Sequence, residues 1–139
     1  MMKERANEQK LRRAHAYMDR DIELLREIHE IEDPVEEETS KSLYFAMHYQ
    51  FRGKLFARSL EKEAALEMYK KSEGIYLRAN NGKPSLVMQC FFQYYIDDLA
   101  ELGFEEEALR YNKLYKKTLQ SYYDRDDLFY IAYTVDIVA

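Results

Sequence analysis

The sequence predicts an all-α domain in which antiparallel helical hairpins stack behind a long N-terminal helix. Three observations predict it. Apolar residues recur at steps of three and four through most of the 139 residues, the period of one helix face. The punctuation between these stretches is that of helix ends. Gly103 follows Leu99, and Asn80-Asn81-Gly82-Lys83-Pro84 is built almost wholly of turn formers. Finally, four Gly and two Pro are few for a sheet protein with its many turns.

Residues 3 to about 32 read as one helix. Leu11, Ala14, Met18, Ile22, Leu25 and Ile28 form a stripe, which Tyr17, Leu24 and Ile31 widen. A strict two-in-seven seam would suggest a coiled coil, and the broader face predicts packing on a body. Charge on this helix is split. Residues 3–20 carry six basic against three acidic side chains, and residues 21–38 carry one against nine. Asp33 is placed to cap the next helix, with Pro34 at its first position and Glu36 three after the cap. That second helix is expected from residue 34 to about 59, and the third from about 61 to 79 after a break near Leu60. The fourth is expected over 85–102 and the fifth over 104 to about 121. Asp124 can cap a sixth, with Leu128, Ile131, Ala132 and Val135 on one face. The expected division of one domain is 1–33, 34–80, 84–121 and a capping or half-repeat helix at 124–139.

Small and aromatic residues alternate at fixed offsets. Phe45, Tyr49, Gly53 and Phe56 precede Ala65, twelve after Gly53, and Tyr69, four after Ala65, with Ser72 at a later small position. Phe92, Ile96, Leu99, Gly103, Phe104 and Ala108 repeat the arrangement. This pattern resembles the tetratricopeptide repeat. Corresponding positions fall at Gly53, Ile96 and Ala132, separated by 43 and 36 residues, against about 34 in regular repeats. Arg52 stands where Leu is usual, Ile96 where Gly is, and Asn112 where an aromatic is; no Pro closes a unit. The resemblance implies a short right-handed solenoid of irregular repeats. Similar irregular repeats occur in peptide-pheromone sensors and in sensor regions ahead of bacterial signalling domains. The implied function is therefore a non-catalytic scaffold or sensory module that binds a protein or peptide segment. A second class is structural: an oligomerisation module whose first or last helix makes a homodimer contact. Two readings of residues 124–139 stay open. They form a built-in lid across the fifth helix that meets another copy, or the chain is a piece of a longer protein.

The resemblance also implies a concave side lined by the first helix of each unit. Its inward positions would be Met47, Gln50, Phe51, Lys54 and Arg58, then Cys90, Gln93, Tyr94, Asp97 and Glu101. Asp126, Phe129, Tyr130 and Tyr133 would follow. Aromatic faces and amides suit an extended peptide, with Phe51, Tyr94, Tyr130 and Tyr133 sharing one groove. The same aromatics at helical spacing also suit a core, and the same polar residues a solvated face. Gln50, Lys54 and Tyr94 do not reproduce the paired Lys and Asn with which chaperone adaptors hold a terminal carboxylate.

No catalytic, metal or cofactor constellation is read from the sequence. His29-Glu30-Ile31-Glu32-Asp33 begins like a zinc-protease helix but has Asp33 where the second His is needed. Asp97, Asp98 and Glu101 read as a polar helix face. Cys90 reads as a small hydrophobe turned to the interior or the groove. The basic patch Lys10, Arg12, Arg13 is interleaved with acids, and residues 39–139 balance fourteen basic against fourteen acidic side chains. Nucleic acid is therefore not an expected partner. A lone Cys and the lack of an 18-residue apolar run predict a soluble, cytoplasmic protein without membrane insertion.

Overall fold

The computed structural model describes residues 2–30 and 42–122. The Asp33–Pro34 cap lies outside them. So does the sixth helix, with Ala132, Phe129, and the groove candidates Tyr130 and Tyr133. The described residues are all-helical: α1 (Met2–His29), α2 (Ser42–Arg58), α3 (Lys62–Arg78), a 3₁₀ turn (Leu86–Met88), α4 (Gln89–Glu101) and α5 (Glu105–Tyr122).

α2 and α3 form an antiparallel hairpin. Ala57 meets Ala65 near the turn, Gly53 lies against Tyr69, and Ser72 Oγ donates to the Ala46 carbonyl at 2.6 Å. Each step up α2 is thus a step down α3. Gly53 is required for this approach, because a Cβ there would stand 2.9 Å from the Tyr69 ring. The turn closes without glycine. Leu60 takes the left-handed conformation (φ 59°), while the Glu61 amide donates to the Phe56 carbonyl at 3.0 Å, so the last carbonyls of α2 are satisfied.

The second hairpin, α4–α5, repeats the device with glycine. Gly103 has φ 93°, and the Phe104 amide donates to the Leu99 carbonyl at 2.7 Å. Glu105, Glu106 and Glu107 occupy the first turn of α5, where the exposed amides favour negative charge. The start of α4 differs from the continuous helix expected over 85–102. The Met88 amide bonds three back to Ser85 at 3.1 Å, and buried Met88 anchors this tighter turn. Between the hairpins, Asn80 Nδ2 donates to the Lys83 and Pro84 carbonyls at 2.9 and 3.3 Å, which folds the Asn-Asn-Gly loop on itself.

The core is aromatic. Phe92 stacks on Tyr115 with centroids 5.1 Å apart, and Tyr95 meets Tyr111 edge-on at 4.7 Å. Tyr69, Tyr76 and Phe91 carry the contact across to the first hairpin. Tilted and edge-to-face rings suit the aromatic quadrupole. Buried Tyr76 still needs a hydrogen-bond partner, and it donates to Gln50 Oε1 at 2.8 Å; burial pushes its pKa up to about 12.

α1 runs antiparallel to α2. His15 lies against Phe56, Arg52 donates to Asp19, His48 pairs with Asp21 at 2.7 Å, and His29 stacks on Tyr44. The broad apolar stripe expected to pack on a body is in fact two adjacent seams. Leu11, Ala14, Met18 and Leu25 are half-buried and Ile22 is buried. Tyr17, Leu24 and Ile28 remain 70%, 45% and 68% exposed. The angle between the seams is the reason: a single flanking helix covers only the stripe that faces it.

Candidate functional site

α2 and α4 lie side by side and parallel. Phe51 meets Tyr94 edge-on with centroids 5.7 Å apart, and one turn further along both helices Lys54 Nζ donates to Asp98 Oδ1 at 2.6 Å. Phe51 stands at the surface, 37% exposed, and Tyr94 beside it is half-buried. The ion pair lies beneath them, with 3% of the Asp98 side chain and 23% of the Lys54 side chain exposed. Tyr69 Oη donates to the second Asp98 oxygen, so α3 joins the same carboxylate. Burial, and then this bond to an anion, hold the Tyr69 pKa far above its ordinary value. Lys54 Nζ also lies 5.6 Å from the Tyr94 ring centre, within cation–π range. Each group is therefore fixed by at least one partner on another helix.

Around this pair the surface is apolar. Tyr44, Met47 and Phe51 follow at steps of three and four along α2, 56%, 46% and 37% exposed. Exposed Cys90 lies one turn before Tyr94 on α4, and Val87, 58% exposed, precedes it in the 3₁₀ turn. Arg58, Asp97 and Glu101 are exposed and supply charge of both signs at the far end.

The sequence-derived candidates are placed as follows. Phe51, Lys54 and Tyr94 come together. Arg58 is exposed one turn beyond Lys54, and Gln93 is half-buried beside Tyr94. Gln50 is a correction: it is 1% exposed, because its amide oxygen is needed to satisfy Tyr76. Asp97 also lines a different, open hollow of about 390 Å³ with Ile96, Ala100, Glu105, Ala108, Leu109 and Asn112, between α4 and α5. Asp98 is not part of a polar face but the buried anchor. Cys90 is exposed rather than interior.

Two polar residues escaped the sequence reading. Asp98 was legible only as one of two adjacent acids; its partners lie 44 and 29 residues away. His48 is buried with its Nε2 unpartnered. Burial lowers its pKa, outweighing the opposite pull of Asp21. Among the described residues no group of three or more His, Cys, Asp or Glu side chains is arranged to hold a metal. No helix among them is long and apolar enough to cross a membrane. Comparison with known proteins finds no described family, no curated protein and no solved structure that matches the chain.

Proposed function

We propose that the chain is a non-catalytic binding module, a short right-handed solenoid of tetratricopeptide-like hairpins whose α2–α4 face holds a segment of another protein. The parallel course of α2 and α4 supports the solenoid, since first helices of stacked hairpins run that way. The observation that carries the function is the Phe51–Tyr94 pair, with Phe51 exposed and Tyr94 half-buried beside it, fixed from below by Lys54, Asp98 and Tyr69. Rings held in place before binding lose little freedom when a partner arrives. Aromatic anchors in an otherwise apolar strip are where binding energy concentrates.

With Gln50 withdrawn into the core, the face has few groups to meet an extended backbone. Its stepwise Tyr44, Met47 and Phe51 instead suit the apolar side of an amphipathic helix. A sensory or scaffolding region of a bacterial signalling protein is the role that such a surface serves. The test is selection from a displayed peptide library, followed by titration against native protein, Phe51→Asp and Tyr94→Ala. The reading expects amphipathic sequences whose affinity falls at least tenfold in both variants, each with native far-UV circular dichroism. Binders indifferent to both substitutions would remove the site.

A further inference from the structure

The second hairpin is a structural copy of the first, 43 residues further on. Left-handed Leu60 and Gly103 stand at equivalent places in the two turns. The amide bond that closes each turn repeats, from Glu61 to Phe56 and from Phe104 to Leu99. α2 and α4 end, and α3 and α5 begin, at the same spacing. At that offset the hollow between α4 and α5 corresponds to a surface already in use. Its Ala100, Ala108 and Asn112 match Ala57, Ala65 and Tyr69 of the first hairpin. α4 lies on those three. Leu102 packs with Ala57 and Ala65, and the Tyr95 ring sits 4.8 Å from that of Tyr69. All three are buried. On the second hairpin Ala100 and Leu109 are exposed, and Asn112 Oδ1 is buried without a hydrogen-bond partner. The hollow is thus a seat for a helix, of about 390 Å³, and the described residues that line it all belong to α4 and α5.

The charges of this seat are reversed relative to the first. Lys54 and Lys62 have Asp97 and Glu105 as their counterparts. On the first hairpin Lys54 is met by an acid of the seated helix, Asp98. Among the described residues neither Asp97 nor Glu105 has a basic partner. The same arrangement with opposite sign requires a helix that carries Lys or Arg where α4 carries Asp98. Residues 123–139 of this chain do not meet that requirement, with one basic side chain against four acidic.

We propose that the α4–α5 hollow is the docking site for a basic amphipathic helix of another protein, seated as α4 is seated on the first hairpin. Ala100 and Ala108 leave room for its backbone, and Ile96 and Leu109 meet its apolar side. Asp97 and Glu105 take its Lys or Arg side chains and set its direction, as charges at an interface do. A donor brought in by that helix satisfies the Asn112 oxygen, which burial otherwise leaves at a cost. This site stands apart from the Phe51–Tyr94 pair and does not rest on it.

The test titrates the full chain with two synthetic helices of about 15 residues, read by fluorescence anisotropy at physiological ionic strength. Both are built of Ala and Leu, one with Lys and the other with Glu at the same polar positions. The lysine helix is expected to bind about tenfold more tightly than the glutamate helix. Asp97→Lys combined with Glu105→Lys inverts that preference. Glu23→Lys combined with Glu27→Lys changes the net charge equally at exposed positions of α1, and leaves the preference within about twofold of native. Phe51→Asp closes the α2–α4 face and also leaves the preference intact, so the two sites fail separately. Far-UV circular dichroism verifies that each variant is folded. An equal loss of preference in the two double variants overturns the proposal, since it shows attraction by overall charge alone. So does a preference lost with Phe51→Asp. Binding of neither helix overturns it too, the result expected if residues 123–139 or a second copy of the chain fill the hollow.

Discussion

Asp98 is the residue on which the described hairpins converge, since α2 and α3 both reach it on α4. A carboxylate so enclosed is held by its partners, and removing one leaves a charge without compensation. Lys54→Met is expected to destabilise the fold by about 3 kcal/mol, and Tyr69→Phe by about 1–2 kcal/mol. Lys54→Met combined with Asp98→Leu removes both charges and should cost less than Lys54→Met alone. Urea unfolding of the four proteins checks this, and a double variant less stable than the single would show that Asp98 is not left uncompensated when Lys54 is removed. None of this was legible in the chain. A polar side chain's burial is decided by partners distant in sequence, and Asp98 looks no different from its exposed neighbour Asp97. Gln50 failed for the same reason, its fate resting on Tyr76.

Helices and their ends were legible because local physics sets them. α3 was expected over 61–79 and runs Lys62–Arg78, and the breaks near Leu60 and Gly103 fall where left-handed residues stand. What local pattern could not supply was the number of faces on α1, because two neighbouring seams read as one wide stripe. Gly53 and Gly74 lie in facing helices and separate propensity from packing. A Cβ at Gly74 meets nothing within 4 Å, so Gly74→Ala should stabilise by about 0.5–1 kcal/mol. At Gly53 the Tyr69 ring opposes the same methyl, and Gly53→Ala should destabilise by about 1–3 kcal/mol. Thermal unfolding of both variants measures the contrast; equal shifts of one sign would mean that α2 and α3 do not approach this closely.

At the scale of the whole molecule, α1 is attached differently from the rest. Among its described side chains it contributes Ile22 to the buried apolar cluster shared by α2 to α5, with half-buried Leu25 packed against it, and its seam with α2 holds all three histidines of the chain. His48 is enclosed by Asp21 and Arg26 from α1 and by Arg52 and the edge of Tyr49 from α2. Its pKa is lowered from 6.5 in the docked state, so the undocked state binds the proton more readily. The stabilising contribution of neutral His48 is therefore present above pH 6.5 and lost as pH falls toward its lowered value. Hydrogen exchange of α1, measured against α3 in the same sample, is expected to accelerate on going from neutral pH to about pH 5. His48→Gln should flatten that difference; a native ratio constant with pH would separate the histidine from the docking. The all-helical class was legible at this scale because periodicity is summed over the whole chain, whereas the weakness of one seam is a property of contact. The bond between Lys54 and Asp98 reaches furthest in its consequences, for it ties together the fates of two hairpins that a sequence could otherwise vary separately. In any descendant of this protein, a change of sign or polarity at one of the two positions must be answered at the other.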